Sequence, residues 1–101
     1  MLKELALLIT NNMRTSDCVA RYGGEEFVIV MPFARLEDAW NKMEKLRKLI
    51  EKHPFLNGKI HITVSIGVSQ YNSYMEIQDL LMEVDEKLYK AKREGRNRVI
   101  G

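Results

Sequence analysis

The densest chemistry in the sequence is the run Arg21-Tyr22-Gly23-Gly24-Glu25-Glu26-Phe27. Gly23 and Gly24 carry no side chains, so another molecule can approach their backbone N–H groups closely. Glu25 and Glu26 are adjacent carboxylates, hard oxygen ligands suited to a divalent cation such as Mg2+. The same two acids also fit an ordinary solvated turn. A few residues upstream, Arg14 stands three positions before Asp17, a spacing equally compatible with a solvated helix end followed by a turn. Near the C-terminus, residues 87–98 hold six bases, Lys87, Lys90, Lys92, Arg93, Arg96 and Arg98, against the single acid Glu94. Such a cluster suits an anionic ligand, and it also suits a solvated helix face.

The elements that must position these groups follow from periodicity. Leu2, Leu5, Ala6, Leu8, Ile9 and Met13 recur at helical spacing. Residues 18–22 and 26–31 are strand-like runs joined across Gly23-Gly24, a pair that supplies the positive φ of a tight hairpin, and Pro32 closes the second. Phe27 to Met31 is apolar throughout, as expected of a central strand buried on both faces. Leu36, Ala39, Trp40, Met43, Leu46 and Ile50 mark a second helix, ended by His53-Pro54. Residues 60–69 alternate apolar with polar or small and give the clearest expected strand. Ser73 and Glu76 fit a capping box opening a third helix through Ile77, Leu80, Leu81, Val84, Leu88 and Ala91. Gly95 fits its C′ position, and Val99-Ile100 makes a short last strand. The expected order is αββαβαβ, one α/β domain (α+β) built on an antiparallel sheet with flanking helices.

Composition bounds the rest. The chain has 101 residues, 46% hydrophobic and 30% charged, which is one domain and not a disordered chain. No apolar run approaches a membrane span. A net charge of +2 demands no polyanionic partner. The single Cys18 excludes an internal disulfide and, with no signal-peptide pattern at the start, points to a reducing cytoplasm. Cys18 is expected to be buried and inert, Trp40 to anchor the core, and the methionines at 13, 43, 75 and 82 to fill gaps in it. His53 and His61 have no acid or cysteine at ligand spacing, which argues against zinc.

Arg21 to Phe27 resembles the signature of the GGDEF family, the diguanylate cyclase domains, in its GGEEF form. Three more segments agree in register. Arg14 to Asp17 is similar to the family's RxxD motif, five residues before Gly23; Thr63-Val64-Ser65-Ile66-Gly67 resembles TxSIG; residues 85–97 resemble DxALYxAKxxGRN, with Lys87 at the usual alanine. The resemblance implies a nucleotide-cyclase-palm-like, ferredoxin-like fold. It also implies condensation of two GTP, one on each of two facing subunits, to cyclic di-GMP and pyrophosphate with Mg2+. Glu25 would be the essential metal-binding carboxylate, with Glu26 supporting the metal. Gly23 and Gly24 would let the nucleotide lie against the hairpin, while Lys92 and Arg96 would hold its β- and γ-phosphates. Arg14 and Asp17 would form a separate inhibitory site for the product, the guanidinium fork pairing with phosphate or a guanine edge and the aspartate accepting guanine N–H groups, with Lys45 or Arg47 completing it.

The same resemblance implies an earlier strand with a metal-binding aspartate, a helix and a GHxxGD stretch that contact guanine. None has a counterpart in residues 1–101. The expectation is a partial domain whose first strand is missing, inactive alone, and prone to pair its open sheet edge in a homodimer or higher assembly. A cyclic di-GMP receptor without catalysis is the alternative. An RNA-binding module would want more exposed strand aromatics than Tyr22 and Phe27.

Overall fold

A computed structural model describes residues 2–101. Helix α1 (Leu2–Asn11) leads into the hairpin β1 (Cys18–Gly23) and β2 (Glu26–Val30); α2 (Leu36–Lys52) and a four-residue turn α3 (Phe55–Gly58) follow. Then come β3 (Ile66–Gly67), α4 (Ile77–Arg93) and β4 (Val99–Ile100). The core forms where the helical stripes meet. Leu5 and Ile9 of α1 and Ala39, Met43, Leu46 and Ile50 of α2 are buried, and Phe55 is fully enclosed. Leu2 opens α1, but its side chain lies outside the described residues. Val19, Phe27 and Ile29 carry the hairpin onto this core, and Trp40 packs at its margin.

The sheet is divided. β1 and β2 pair antiparallel, while β3 and β4 form a separate parallel pair. The long strand expected over residues 60–69 is cut to β3, because a strand needs a ladder partner and residues 61–65 have none among the described residues. Its alternation survives as burial: Ile60, Ile62 and Val64 are half-buried against the core, whereas His61 and Thr63 are exposed. β2 is likewise not buried on both faces. It has one neighbouring strand, Phe27 to Ile29 are half-buried, and Val30 is exposed.

Helix α4 lies directly on β3. A Cβ added at Gly67 would sit 2.6 Å from the Val84 carbonyl oxygen and 2.7 Å from the Leu88 nitrogen. The glycine of TxSIG is thus a contact between backbones. Lys87, at the position where the family resemblance has alanine, donates from Nζ to the Val68 carbonyl at 2.9 Å and fastens the same helix to the same segment. Ser73 does not cap α4. The N-cap is Glu76, whose N–H donates to the Asp79 carboxylate at 3.0 Å. Ala91 is buried and Leu80, Val84 and Leu88 are half-buried, but Ile77, Leu81 and Met82 of the expected apolar set are exposed. Cys18 is exposed, which overturns its expected burial. His53 has an acid after all: its Nε2 lies 3.0 Å from the Glu4 carboxylate, which also accepts the Leu56 N–H at 3.1 Å. Those hydrogen bonds hold the Glu4 carboxyl below the usual glutamate value.

Candidate functional site

The signature residues sit at the hairpin tip. Gly23 pairs with Glu26, leaving Gly24 and Glu25 as a two-residue loop. Only Gly24 takes a positive φ, +45°, at the first loop position, so the expectation that both glycines supply positive φ holds for one of them. Nothing lies within 4 Å of a Cβ built on either glycine, so the tip's backbone is open to a ligand. Arg21 pairs with Phe27 and Gly23 with Glu26, so Tyr22 is an extra residue, a bulge that increases local twist. Arg21 forks from Nε and Nη2 onto the Gly24 carbonyl at 3.0 and 2.7 Å, clasping the loop from within. Sequence reading gave Arg21 no role; a guanidinium three residues before a glycine turn is the signal for it.

Glu25 and Glu26 are both exposed, and neither takes part in an ion pair or side-chain hydrogen bond among the described residues. No cluster of three or more acidic, histidine or cysteine residues forms a metal cage among the described residues. Two free carboxylates do match what Mg2+ takes from a protein when waters and substrate phosphates fill its other positions.

Lys92 and Arg96 are at the far end of α4, exposed, with no side-chain hydrogen bond or ion pair to the hairpin acids. The helix ends in a Schellman turn: Gly95 has φ +128°, and the Arg96 N–H reaches back to the Ala91 carbonyl at 2.9 Å. Arg96 and Asn97 follow at φ 62° and 48°, a left-handed pair that re-aims the chain after the helix. The Asn97 side chain accepts from Arg47 Nη1 at 2.9 Å, and asparagine tolerates the left-handed region.

Arg14 and Asp17 occupy the other end of the same strand. The Asp17 carboxylate accepts the Arg14 N–H at 2.8 Å and the guanidinium at 2.8 and 3.1 Å. Arg14 Nη2 also donates to the Pro32 carbonyl at 3.1 Å, joining this turn to the exit of β2. The Asp17 side chain is 0% exposed and that of Arg14 51%, so the guanidinium is the accessible half of the pair. Arg14 holds the Asp17 carboxyl below its ordinary value, with a smaller contribution from Lys42. A groove of about 260 Å³ beside the turn is lined by Asn12, Met13, Lys42, Lys45, Leu46 and Leu49. Lys45 therefore faces this region. Arg47 does not: it is held by Glu44 at 2.6 Å and by Asn97. β1 runs for six residues between Asp17 and the tip loop, about 20 Å at ~3.3 Å per residue. One mononucleotide cannot touch both ends.

A mixed α/β domain with a GGEEF hairpin and an RxxD turn at its base is the architecture of a nucleotide-cyclase palm. The chain belongs to the GGDEF family: residues 1–98 match the family described as "Diguanylate cyclase, GGDEF domain". It is 41% identical, over all of its length, to the response regulator PleD of Caulobacter vibrioides, and covers 23% of that protein. It is 39% identical to diguanylate cyclase A of Treponema denticola, over 98% of this chain and 28% of that one. Among solved structures, the active GGEEF domain of a diguanylate cyclase from Vibrio cholerae superposes with TM-score 0.83 at 34% identity, over 98% of this chain and 64% of that one. The GGDEF domain of DgcB from Caulobacter crescentus, solved in complex with c-di-GMP, gives 0.86 at 29%, over 98% and 61%. The chain thus spans about a quarter of the length of these curated relatives.

Proposed function

We propose that the chain is the part of a diguanylate cyclase that carries the metal-binding hairpin and the phosphate-binding helix end. The observation that supports this above all is the tip: a two-residue loop that leaves Glu25 and Glu26 exposed and unpaired on a bare glycine backbone. Bound Mg2+ would neutralise phosphate charge and polarise the α-phosphate for attack. Glu25 holds that ion and Glu26 supports it. Gly23 and Gly24 let GTP lie along the hairpin, and Lys92 and Arg96 pair with its β- and γ-phosphates. Two copies facing each other as a homodimer supply the two GTP molecules that become cyclic di-GMP and pyrophosphate. We take the 101-residue chain alone to lack turnover, since the guanine-contacting residues implied by the family resemblance have no counterpart in it.

The test compares the natural protein carrying these residues with its Glu25→Gln variant, supplied with GTP and Mg2+. Cyclic di-GMP from the first and not the second is the expected result. A variant at the wild-type rate would overturn the metal assignment.

A second site is read at Arg14 and Asp17, where cyclic di-GMP binds as inhibitory product. What supports it is the exposed, carboxylate-braced guanidinium beside a groove bearing Lys42 and Lys45. Should catalysis be absent from the natural protein while this binding persists, the receptor reading would replace the enzyme.

A further inference from the structure

Met31, Pro32, Phe33 and Ala34 form a β-turn closed by the Ala34 N–H on the Met31 carbonyl at 3.3 Å. Proline stands at its second position and the third has φ +62°, the pattern of a type II turn. That third position calls for glycine or asparagine, because a side chain meets its own backbone there. Phe33 occupies it instead, and its ring is fully exposed. Two departures from expectation coincide at one residue, a left-handed backbone and a fully exposed aromatic ring. The other left-handed residues sit in turns with hydrogen bonds of their own, and Asn57 and Asn97 are of the type that tolerates this conformation. The Leu56 N–H is bound by Glu4, and Arg96 and Asn97 complete the turn that ends α4. Tyr74 is as exposed as Phe33, but its backbone is ordinary.

Phe33 directly follows Pro32, whose carbonyl accepts the Arg14 guanidinium. The Phe33 backbone therefore adjoins the Arg14–Asp17 turn at the base of the hairpin, with the whole of β2 between it and the tip loop. We propose that Phe33 is a stacking platform for a guanine base of cyclic di-GMP held at Arg14 and Asp17. This rests on the product-site reading above. The exposed Arg14 guanidinium, braced by the enclosed Asp17 carboxylate, can pair with phosphate or the guanine edge or lie on one purine face. The other face then needs a second planar group to cover it. An aromatic ring does so, and stacking favours a flat purine. Strained residues cluster at ligand clamps and active sites, which singles out this turn as a place where a ligand is held.

The test is calorimetry of cyclic di-GMP on the natural protein carrying these residues, with melting and sedimentation of each variant. Phe33→Ala should weaken binding roughly 5- to 100-fold, while Phe33→Tyr and Phe33→Trp keep it within about threefold. Phe33→Gly should lose the same affinity yet melt no lower than wild type, since glycine relieves the left-handed strain; a purely structural role for the ring would lower both. If Arg14→Ala abolishes binding and Phe33→Ala leaves it unchanged, the stacking inference is overturned and the product site stands. If Arg14→Ala binds as tightly as wild type, or the wild-type protein binds nothing, the site itself falls and the inference with it. If Phe33→Ala alters only self-association, the ring is a contact between copies and the proposal is overturned.

Discussion

The two ends of the hairpin handle charge in opposite ways. At the tip, Glu25 and Glu26 stand exposed without partners among the described residues, and the Arg21 guanidinium is spent on the Gly24 carbonyl. At the base, the carboxylate of Asp17 is enclosed and accepts both the backbone and the guanidinium of Arg14. A ligand arriving at the tip meets bare charge that contributes little to the fold. A ligand arriving at the base meets charge already balanced and braced, with one exposed face. The first arrangement suits a labile metal and a substrate that must leave as product. The second suits a preorganised recognition surface, since the cost of ordering the guanidinium is met during folding.

That contrast makes four predictions. The largest effect is expected at the tip: Glu25→Gln should lower cyclic di-GMP synthesis by the natural protein about 100-fold or more, by analogy with removal of one transition-state electrostatic group. Its melting temperature should not move, because the carboxylate holds no protein group. A parallel loss of stability in a melting curve would break the contrast.

At the base, function and stability should fall together. Asp17→Ala strands the Arg14 guanidinium and N–H, so cyclic di-GMP affinity should drop roughly 10- to 100-fold, the range for hydrogen bonds to charged groups. The melting temperature should fall by several degrees in the same protein. Calorimetry and thermal melts on one preparation would check both.

Gly24→Ala tests the tip's backbone without its charge. No atom obstructs the new methyl, so the cost is that of a left-handed alanine, about 1–2 kcal/mol, or roughly 4–15 °C in melting temperature for a chain this size. Gly23→Ala, with no positive φ and equal space, should cost distinctly less.

The smallest effect is a pH dependence confined to the base. Arg14 lowers the Asp17 carboxyl, so this pair's stabilisation is fully present above the unfolded aspartate value, about 3.9, and disappears as pH falls through the lower folded value. The stability gap between wild type and Asp17→Asn should hold steady from pH 7 to about 5 and close in more acid solution. The comparison with Asp17→Asn is needed because Glu4 and Glu44 are also held low and fade over the same range. A gap that widened on acidification would contradict the assigned pair.

Local rules were enough for much of this molecule. The leucine and isoleucine spacing in α1 and α2 leaves only one helix face to bury, and Leu5, Ile9, Met43, Leu46 and Ile50 are buried as that spacing requires. A Gly-Gly pair between apolar runs can scarcely form anything but a hairpin, and Gly95 ends α4 because few other residues adopt φ +128°. The placement of the RxxD and GGEEF residues at opposite ends of the hairpin was legible for the same reason: they are close in sequence, and one strand sets the distance between them.

What lay beyond the sequence depends on groups distant along the chain. Strict alternation over residues 60–69 specifies which side chains face inward, but a strand exists only where another backbone accepts its hydrogen bonds, and β4 does so only at β3. Ser73 obeys the capping pattern, yet the helix begins where Glu76 and Asp79 can satisfy each other. Arg47 and Lys45 are equivalent bases in the sequence; Glu44 and Asn97 engage the first, while the second lines the groove. Phe33 reads as one more apolar residue after a proline, and only the folded chain shows it strained, fully exposed and next to the carbonyl that Arg14 holds. Periodicity and turn chemistry act within a few residues and so are written in the sequence. Which edge is paired, which charge is engaged and which ring is left bare depend on what packs alongside, and the tertiary structure alone decides that.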